Sequence, residues 1–97
     1  MGISSNADKQ YANNMSIYPN PMDGAGKVLL ELDQPSDVTL QVSDMTGRVL
    51  QEASYSHLNE GTNTLDLNSS ALADGSYIVI ARLSGVQTYT KTLIVAR

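Results

Sequence analysis

The sequence contains no cysteine, no phenylalanine and no tryptophan, and each absence narrows what the protein can be. Without cysteine there is neither a disulfide framework nor a thiolate metal site. Five tyrosines are the whole aromatic content, so a core must come from aliphatic side chains. No apolar run approaches the ~18 residues of a membrane-spanning helix. The chain must therefore fold around valine, leucine and isoleucine without covalent cross-links.

Basic residues and histidine are also scarce. Six Lys and Arg are scattered among ten Asp and Glu, and the formal net charge is −4. Phosphate binding needs clustered positive charge, so nucleic acid is not an expected partner. The single histidine, His57, is predicted to be a solvated loop residue, because the sequence has no second histidine for a metal site and no nucleophile elbow. We expect no catalytic residue, no metal, no cofactor and no enzymatic activity.

What the sequence does have is alternation, most clearly at the start of a hairpin over residues 38–55. Val38, Leu40 and Val42 are apolar, and the residues between them are polar. A period of two is typical of a strand with one buried and one solvated face. The other predicted strands lie before and after this hairpin in the sequence.

A turn from Asp44 to Gly47 ends that strand. Aspartate favours the first position of a type I turn, and glycine supplies the positive φ of the closing position. The return arm begins at Val49 and Leu50. One of these two side chains is expected to face the core, and the register between them stays open.

Turn-forming residues separate five further predicted strands: Met15–Tyr18, Lys27–Leu32, Asn63–Leu67, Tyr77–Leu83 and Thr88–Val95. Short strands at intervals of about ten residues are typical of a sandwich. The predicted fold class is all-β, an immunoglobulin-like antiparallel β-sandwich of about seven strands. Residues 1–15 are polar and aperiodic, so we expect a flexible linker or leader followed by one folded domain over residues 16–97.

Two corners stand out. Leu72, an Asp-Gly turn ending at Gly75, and Tyr77 opening a strand are typical of a tyrosine corner, in which the hydroxyl bonds to upstream backbone. Just before it, residues 69–73 are predicted to form one helical turn capped by Ser69.

The second corner is Tyr18-Pro19-Asn20-Pro21. Neither proline nitrogen carries a hydrogen, so a strand ladder cannot continue through it. We therefore expect a short edge strand that ends in a proline-rich corner.

Taken in order, these motifs resemble the C-terminal sorting domain of the type IX (Por) secretion system, of the Bacteroidetes type. The resemblance covers the chain from about Ile17 to the end. It is carried by Tyr18-Pro19-Asn20-Pro21, Gly24, Asp44-x-x-Gly47-Arg48-Val49, Gly61-x-Asn63, Leu65-x-Leu67, Leu72-x-x-Gly75-x-Tyr77 and the closing Lys91-Thr92-Leu93-Ile94-Val95-Ala96-Arg97.

The resemblance implies a non-catalytic domain at the end of an exported protein. It implies transit through the periplasm to the cell surface or exterior, an N-terminal cargo, and recognition by components of the secretion machinery. It also implies removal of the domain by a sortase-like peptidase, within about residues 4–16, and attachment of the cargo to surface lipopolysaccharide. The motif residues carried over are Pro19, Asn20, Pro21, Gly47, Gly75, Tyr77, Lys91 and Arg97. Lys91 and Arg97 are the only charged residues after Arg82, so few basic residues are present for a basic C-terminal recognition motif.

Two surfaces are candidates for docking. The last strand, Thr88–Val95, offers unpaired backbone groups if it ends a sheet, so that a receptor can add a strand there and contact Arg97. An open edge also offers a route to weak pairing between two copies. Ile78 and Ile80 form a second candidate if their face of the sheet is uncovered.

Two other functions compete with this reading. One is an accessory fibronectin-like or carbohydrate-binding module of a secreted enzyme, although carbohydrate binding usually requires exposed aromatic platforms. The other is a calcium-stiffened adhesin module using loop carboxylates such as Asp33 and Asp37, although no Asp-x-Asp-x-Asp spacing is present.

Overall fold

The computed structural model describes residues 14–84 and 87–96, which form seven strands and no helix. The strands are β1 (Met15–Tyr18), β2 (Ala25–Leu32), β3 (Ser36–Ser43), β4 (Val49–Leu58), β5 (Gly61–Asn68), β6 (Gly75–Leu83) and β7 (Gln87–Val95). Within these residues, no helix has the length and apolar character that crossing a membrane requires.

The strands form two antiparallel sheets. The small sheet has the order β1-β2-β5, and the large sheet has the order β4-β3-β6-β7. The chain changes sheet after β2, after β4 and after β5. The predicted all-β sandwich of seven antiparallel strands is confirmed.

The core lies between the sheets and is almost wholly aliphatic. Alternate residues of each strand point inward, as the period of two predicts. The inward residues predicted from the alternation are all buried: Val28, Leu30, Leu32, Val38, Leu40, Val42, Leu65 and Leu67. Met15 and Met22 are also buried, and a flexible methionine side chain fills irregular space. Each such valine or leucine contributes roughly 1.5–3 kcal/mol on full burial.

The hairpin turn forms as predicted, but the return arm does not face the core. Gly47 has φ 96°, and its N–H donates to the Asp44 carbonyl at 3.1 Å. Val49 and Leu50 remain 46% and 41% exposed, so the prediction that one of them is buried is wrong. The reason is that β4 is the edge strand of the large sheet, which has one strand more than the small sheet opposite.

The loop predicted after the hairpin is shorter than expected. Strand β4 continues to Leu58, and β5 begins at Gly61, whose φ of 98° closes the connection. His57 therefore belongs to a strand and not to a loop. Its side chain is solvated as predicted, with 92% of its surface exposed.

The helical turn predicted at residues 69–73 is a simple turn instead. Its hydrogen bond runs from the Leu72 N–H to the Ser69 carbonyl, at 2.9 Å. The Ser69 hydroxyl caps no helix, because it donates to the Gly24 carbonyl and accepts from the Gly24 N–H. Ser69 thus joins the end of β5 to the loop before β2.

Candidate recognition site

The proline-rich corner lies directly against the last strand. The Asn20 Oδ1 accepts a hydrogen bond from the Ile94 N–H at 2.9 Å, and its Nδ2 donates to the Thr92 carbonyl at 3.0 Å. Both X-Pro peptide bonds of the corner, before Pro19 and before Pro21, are cis. Since the prolines have no N–H of their own, the Asn20 side chain supplies the polar groups that pair with β7.

Met22 continues this contact. Its N–H donates to the Ile94 carbonyl at 2.7 Å, and its carbonyl accepts from the Ala96 N–H at 3.1 Å. Met22 and Val95 form a parallel bridge, and the Met22 side chain is fully buried. Residues 20–22 therefore cover the second half of the outer edge of β7.

The glycine at position 26 makes room for this arrangement. A Cβ placed on Gly26 would collide with the terminal methyl group of Met22 and lie 3.0 Å from the Tyr18 carbonyl oxygen. Glycine at this position lets the Met22 side chain pack against β2.

The tyrosine corner is present as predicted. The Tyr77 hydroxyl donates to the Ala73 carbonyl at 2.5 Å, and the ring is buried. Tyr77 pairs with Leu93 of β7, and Gly75 pairs with Val95. The corner thus holds the crossover into β6 at the same place where residues 20–22 meet β7.

Most of the sequence motif residues gather at one end of the sandwich. This end contains the turn with Gly47, the start of β6 with Gly75 and Tyr77, the end of β7, and the corner with Pro19, Asn20 and Pro21. Lys91 lies apart, opposite Val79 and half-buried in the inward row of β7. Arg97 lies outside the described residues.

The same end carries exposed apolar side chains, which the sequence did not predict to form a surface. Among residues 14–84 and 87–96, the large hydrophobic side chains that are exposed are Met45 at 62%, Tyr18 at 49%, Val49 and Leu50. Tyr18 ends β1, and the other three lie in or beside the β3–β4 turn. Four apolar residues at or beside predicted turns were the sequence signal for this surface. Tyr18 lies on the β7 side of this end and the other three on the β4 side, and exposed apolar side chains such as the group of three at the turn are typical of interaction sites.

Ile78 and Ile80 contribute less to an exposed surface than the sequence analysis allowed. They lie on the outer face of β6, the strand between β3 and β7. Both are half-buried, and each has a cross-strand neighbour on either side, Ser43 and Thr92 for Ile78 and Gln41 and Thr90 for Ile80.

The turn at this end is held by the carboxylate of Asp44. Asp44 Oδ1 accepts from the Thr46 hydroxyl at 2.6 Å and from the N–H groups of Thr46 and Arg48, both at 3.0 Å. These hydrogen bonds, chiefly that from the Thr46 hydroxyl and next that from the Arg48 amide, lower the pKa of the Asp44 carboxyl. The network fixes the turn that displays Met45.

Charged side chains do not form a metal site in the described part of the chain. No group of three or more His, Asp or Glu residues is placed there to hold an ion.

A comparison with protein families gives one match over most of the chain. The family described as secretion system C-terminal sorting domain matches residues 16–96. That range includes all seven strands, the proline-rich corner and the tyrosine corner. Among curated proteins, none matches the chain.

Proposed function

The chain belongs to the family of secretion system C-terminal sorting domains, and we propose that it directs an attached cargo protein to the type IX system. In this proposal, components of that system bind the end of the sandwich where most motif residues lie, called the motif-rich end below. The family assignment makes it a secretion signal for that system. The observation that carries the proposal is the coincidence of motif residues and exposed apolar side chains at one end of the fold.

A receptor that covers the exposed apolar side chains at this end gains favourable binding free energy. Met45 and Leu50 are the largest contributors on the turn side, and full burial of such a side chain is worth roughly 1.5–3 kcal/mol. Tyr18 adds an aromatic ring, a residue type enriched at binding hot spots. The hydrogen bonds to Asp44 hold the backbone of the turn in place, which lowers the ordering cost of binding to that of the side chains.

Strand addition at β7 is a second part of the proposal, in a narrower form than the sequence suggested. β7 is an edge strand of the large sheet, as strand addition requires. Residues 20–22 already pair with its second half, beginning at the Thr92 carbonyl, so a partner strand has only Thr88 to Lys91 to pair with. Weak pairing between two copies would use the same stretch. Arg97, as the last residue after this strand, would add a charged contact.

The fate of the domain after export completes the proposal. In this scheme the exported protein crosses the periplasm, and a sortase-like peptidase then cuts the polar leader, in the part of residues 4–16 that precedes the buried Asn14 and Met15. The N-terminal cargo would be transferred to surface lipopolysaccharide, while the sandwich is released. A polar, aperiodic stretch of sequence at the boundary of a folded domain is a common site of proteolysis, which supports this order of events.

The accessory carbohydrate-binding reading is less well supported. Tyr77 and Tyr89 are buried and Tyr55 is half-buried, which leaves Tyr18 as the exposed aromatic side chain of the described residues. A sugar-binding platform usually needs more aromatic surface than one ring. A glycan array with the isolated chain tests this alternative directly, and binding there would revive it.

An export assay tests the sorting proposal. Removing residues 91–97 is ambiguous, since Leu93 and Val95 are core residues and their loss would unfold the domain. A better variant is Met45→Glu with Leu50→Glu, which changes exposed side chains at the motif-rich end. The control is Gln34→Glu with Gln87→Glu, which adds the same charge at exposed positions of the opposite end.

Each fusion is placed behind a periplasmic reporter in a host that has the type IX system. We expect the intact domain and the control to bring the reporter to the surface, and the Met45/Leu50 variant to leave it in the periplasm. Surface export of the Met45/Leu50 variant at the intact level would refute the proposed reading surface. Retention of the intact fusion would refute the sorting role in that host.

A further inference from the structure

Three of the four edge strands of the sandwich are protected against pairing with a further strand, and the fourth, β5, is not. β1 is four residues long and runs into Pro19, β4 has two register shifts against β3, and β7 is covered in part by residues 20–22. β5 pairs with β2 over eight consecutive residues without a shift, and it contains neither proline nor a basic residue. Natural proteins commonly blunt their edges with such devices, so β5, whose one charged residue is Asp66, is the edge most available for pairing with another strand.

The free backbone groups of β5 can be identified from the pairing. Ser69 N–H donates to the Gly24 carbonyl, so odd-numbered residues here point toward β2. The N–H and carbonyl groups of Thr62, Thr64 and Asp66 then point outward. The Asn68 carbonyl agrees with this assignment, since it accepts from the Gln51 side chain at 3.1 Å. Within the described residues, β5 pairs with no strand on this side.

A groove runs beside this edge. β1 contacts β7 on the other side of the sandwich, so the extra strand of the large sheet, β4, extends past β5. The space left beside β5 is a cavity of about 110 Å³, with Leu40, Val42 and Leu67 among its lining residues. Ala53 of β4 also lines it and is exposed. One more strand next to β5 would complete the small sheet and cover this groove.

The order of strands in the two sheets disfavours a second copy of the chain in the groove. In each copy, β3 lies opposite β5, and β4 extends past it. If two copies paired through β5, the β4 strand of each copy would therefore overlap the β3 strand of the other. A single extended segment avoids this clash, because it brings no second sheet with it. The geometry therefore favours a strand from a different polypeptide.

Charge restricts the partner further. Asp66 is the charged residue of β5, and its side chain is 86% exposed although it pairs with Lys27 of β2. The protein as a whole carries a formal net charge of −4. A cross-strand partner of Asp66 is favoured when it is basic.

We propose that the outer edge of β5 and the facing surface of β4 bind one extended segment of a partner polypeptide. This segment has small apolar side chains directed at Ala53 and a Lys or Arg opposite Asp66. The surface runs along the side of the sandwich, and the proposal goes beyond the sorting function and does not depend on it.

A fluorescein-labelled peptide of sequence KVTVKVT is the probe, with EVTVEVT as the charge control. Binding to the intact chain is measured by fluorescence anisotropy, and the amide signals of Thr62, Thr64 and Asp66 are followed by NMR. We expect saturable binding of KVTVKVT at these amides and at least about threefold weaker binding of EVTVEVT, the size of one cross-strand charge pair.

Thr64→Pro removes an outward N–H and leaves the pairing with β2 in place. It is expected to weaken the binding of KVTVKVT at least about tenfold, a change well outside the scatter of such measurements. The control is Gln34→Pro, which places a proline at an exposed loop position outside both proposed edges and is expected to leave the affinity unchanged. Circular dichroism verifies that both variants fold. If Thr64→Pro does not fold, Ala53→Arg decides instead, since it fills the groove from an exposed position and should weaken binding to the same degree.

Three results would overturn the proposal. The first is no saturable binding of KVTVKVT at millimolar concentration. The second is unchanged affinity in a folded Thr64→Pro or Ala53→Arg variant, or loss of affinity in Gln34→Pro. The third is a dimer of the chain in sedimentation that Thr64→Pro abolishes, because that dimer would make a second copy the occupant of the edge.

Discussion

The side chain of Asn20 occupies the place of a neighbouring strand at Ile94. Its Oδ1 accepts from the Ile94 N–H at 2.9 Å, and its Nδ2 donates to the carbonyl two residues earlier at 3.0 Å. A strand residue added to this edge would offer the same acceptor and donor. The Pro-Asn-Pro motif therefore ties the first corner of the sandwich to the last strand and closes part of an edge that otherwise invites pairing.

Asn20→Ala should lower the free energy of unfolding by about 1 kcal/mol, because two hydrogen bonds are lost but their backbone partners remain accessible to water. Urea unfolding measures the loss. Gln34→Ala, at an exposed loop position, is the control and should change stability by less than about 0.5 kcal/mol. An Asn20→Ala variant as stable as the control would show that these hydrogen bonds add nothing to stability.

The same Asn20→Ala variant should also associate more strongly with itself. Its Ile94 N–H and Thr92 carbonyl become free, and the open stretch of β7 then extends from Thr88 to Ile94. Sedimentation velocity over a concentration series should show a larger dimer fraction than the unaltered chain shows. Equal dimer fractions would mean that the Asn20 side chain does not limit pairing between copies at the edge of β7.

Tyr77→Phe should destabilise the fold by about 1 kcal/mol, since it removes the hydrogen bond to the Ala73 carbonyl and keeps the buried ring. Tyr89→Phe is the matched control, because its hydroxyl bonds to the exposed side chain of Gln87. The control should cost less than about 0.5 kcal/mol. Equal losses in urea unfolding would argue against a special role for the tyrosine corner.

Gly26→Ala should cost about 1–3 kcal/mol through overpacking, because the new methyl group meets the buried Met22 side chain. Backbone conformation is not the cause, since Gly26 is not among the glycines with positive φ. Combining it with Met22→Ala removes the collision, so the double variant should lose less stability than the two single losses added together. Strict additivity in urea unfolding would exclude the collision as the cause.

Acid should weaken the hairpin turn through Asp44. The folded pKa of this carboxyl lies below its ordinary value of 3.8, so the stability that it contributes is present above that value and is lost as the pH falls through the folded pKa. The melting temperature of Asp44→Asn should therefore lie below that of the unaltered chain near neutral pH, and the difference should shrink on acidification. A difference that is the same at about pH 5 and about pH 2 would contradict this linkage.

Much of the fold followed from local pattern. Alternation of apolar and polar residues predicted the strands and their inward faces, because side chains in a strand point alternately to its two sides. The hairpin turn at Asp44 to Gly47 and the hydrogen bond of Tyr77 were predictable as well, since each depends on residues within a few positions of one another. The ordered set of motifs was enough to predict the family.

Contacts between distant residues were decided by the tertiary structure. Asn20 was predicted as part of a corner, but its pairing with Ile94 spans 74 residues, and that of Ser69 with Gly24 spans 45. Val49 and Leu50 follow a strand pattern and yet stay exposed, because alternation does not say whether a sheet lies opposite. The open edge of β5 depends on the same fact, namely that one sheet has a strand more than the other. The sequence by itself determined which residues form strands and turns, since these are local properties of the chain. The packing of two unequal sheets determined which of their surfaces remain free to bind.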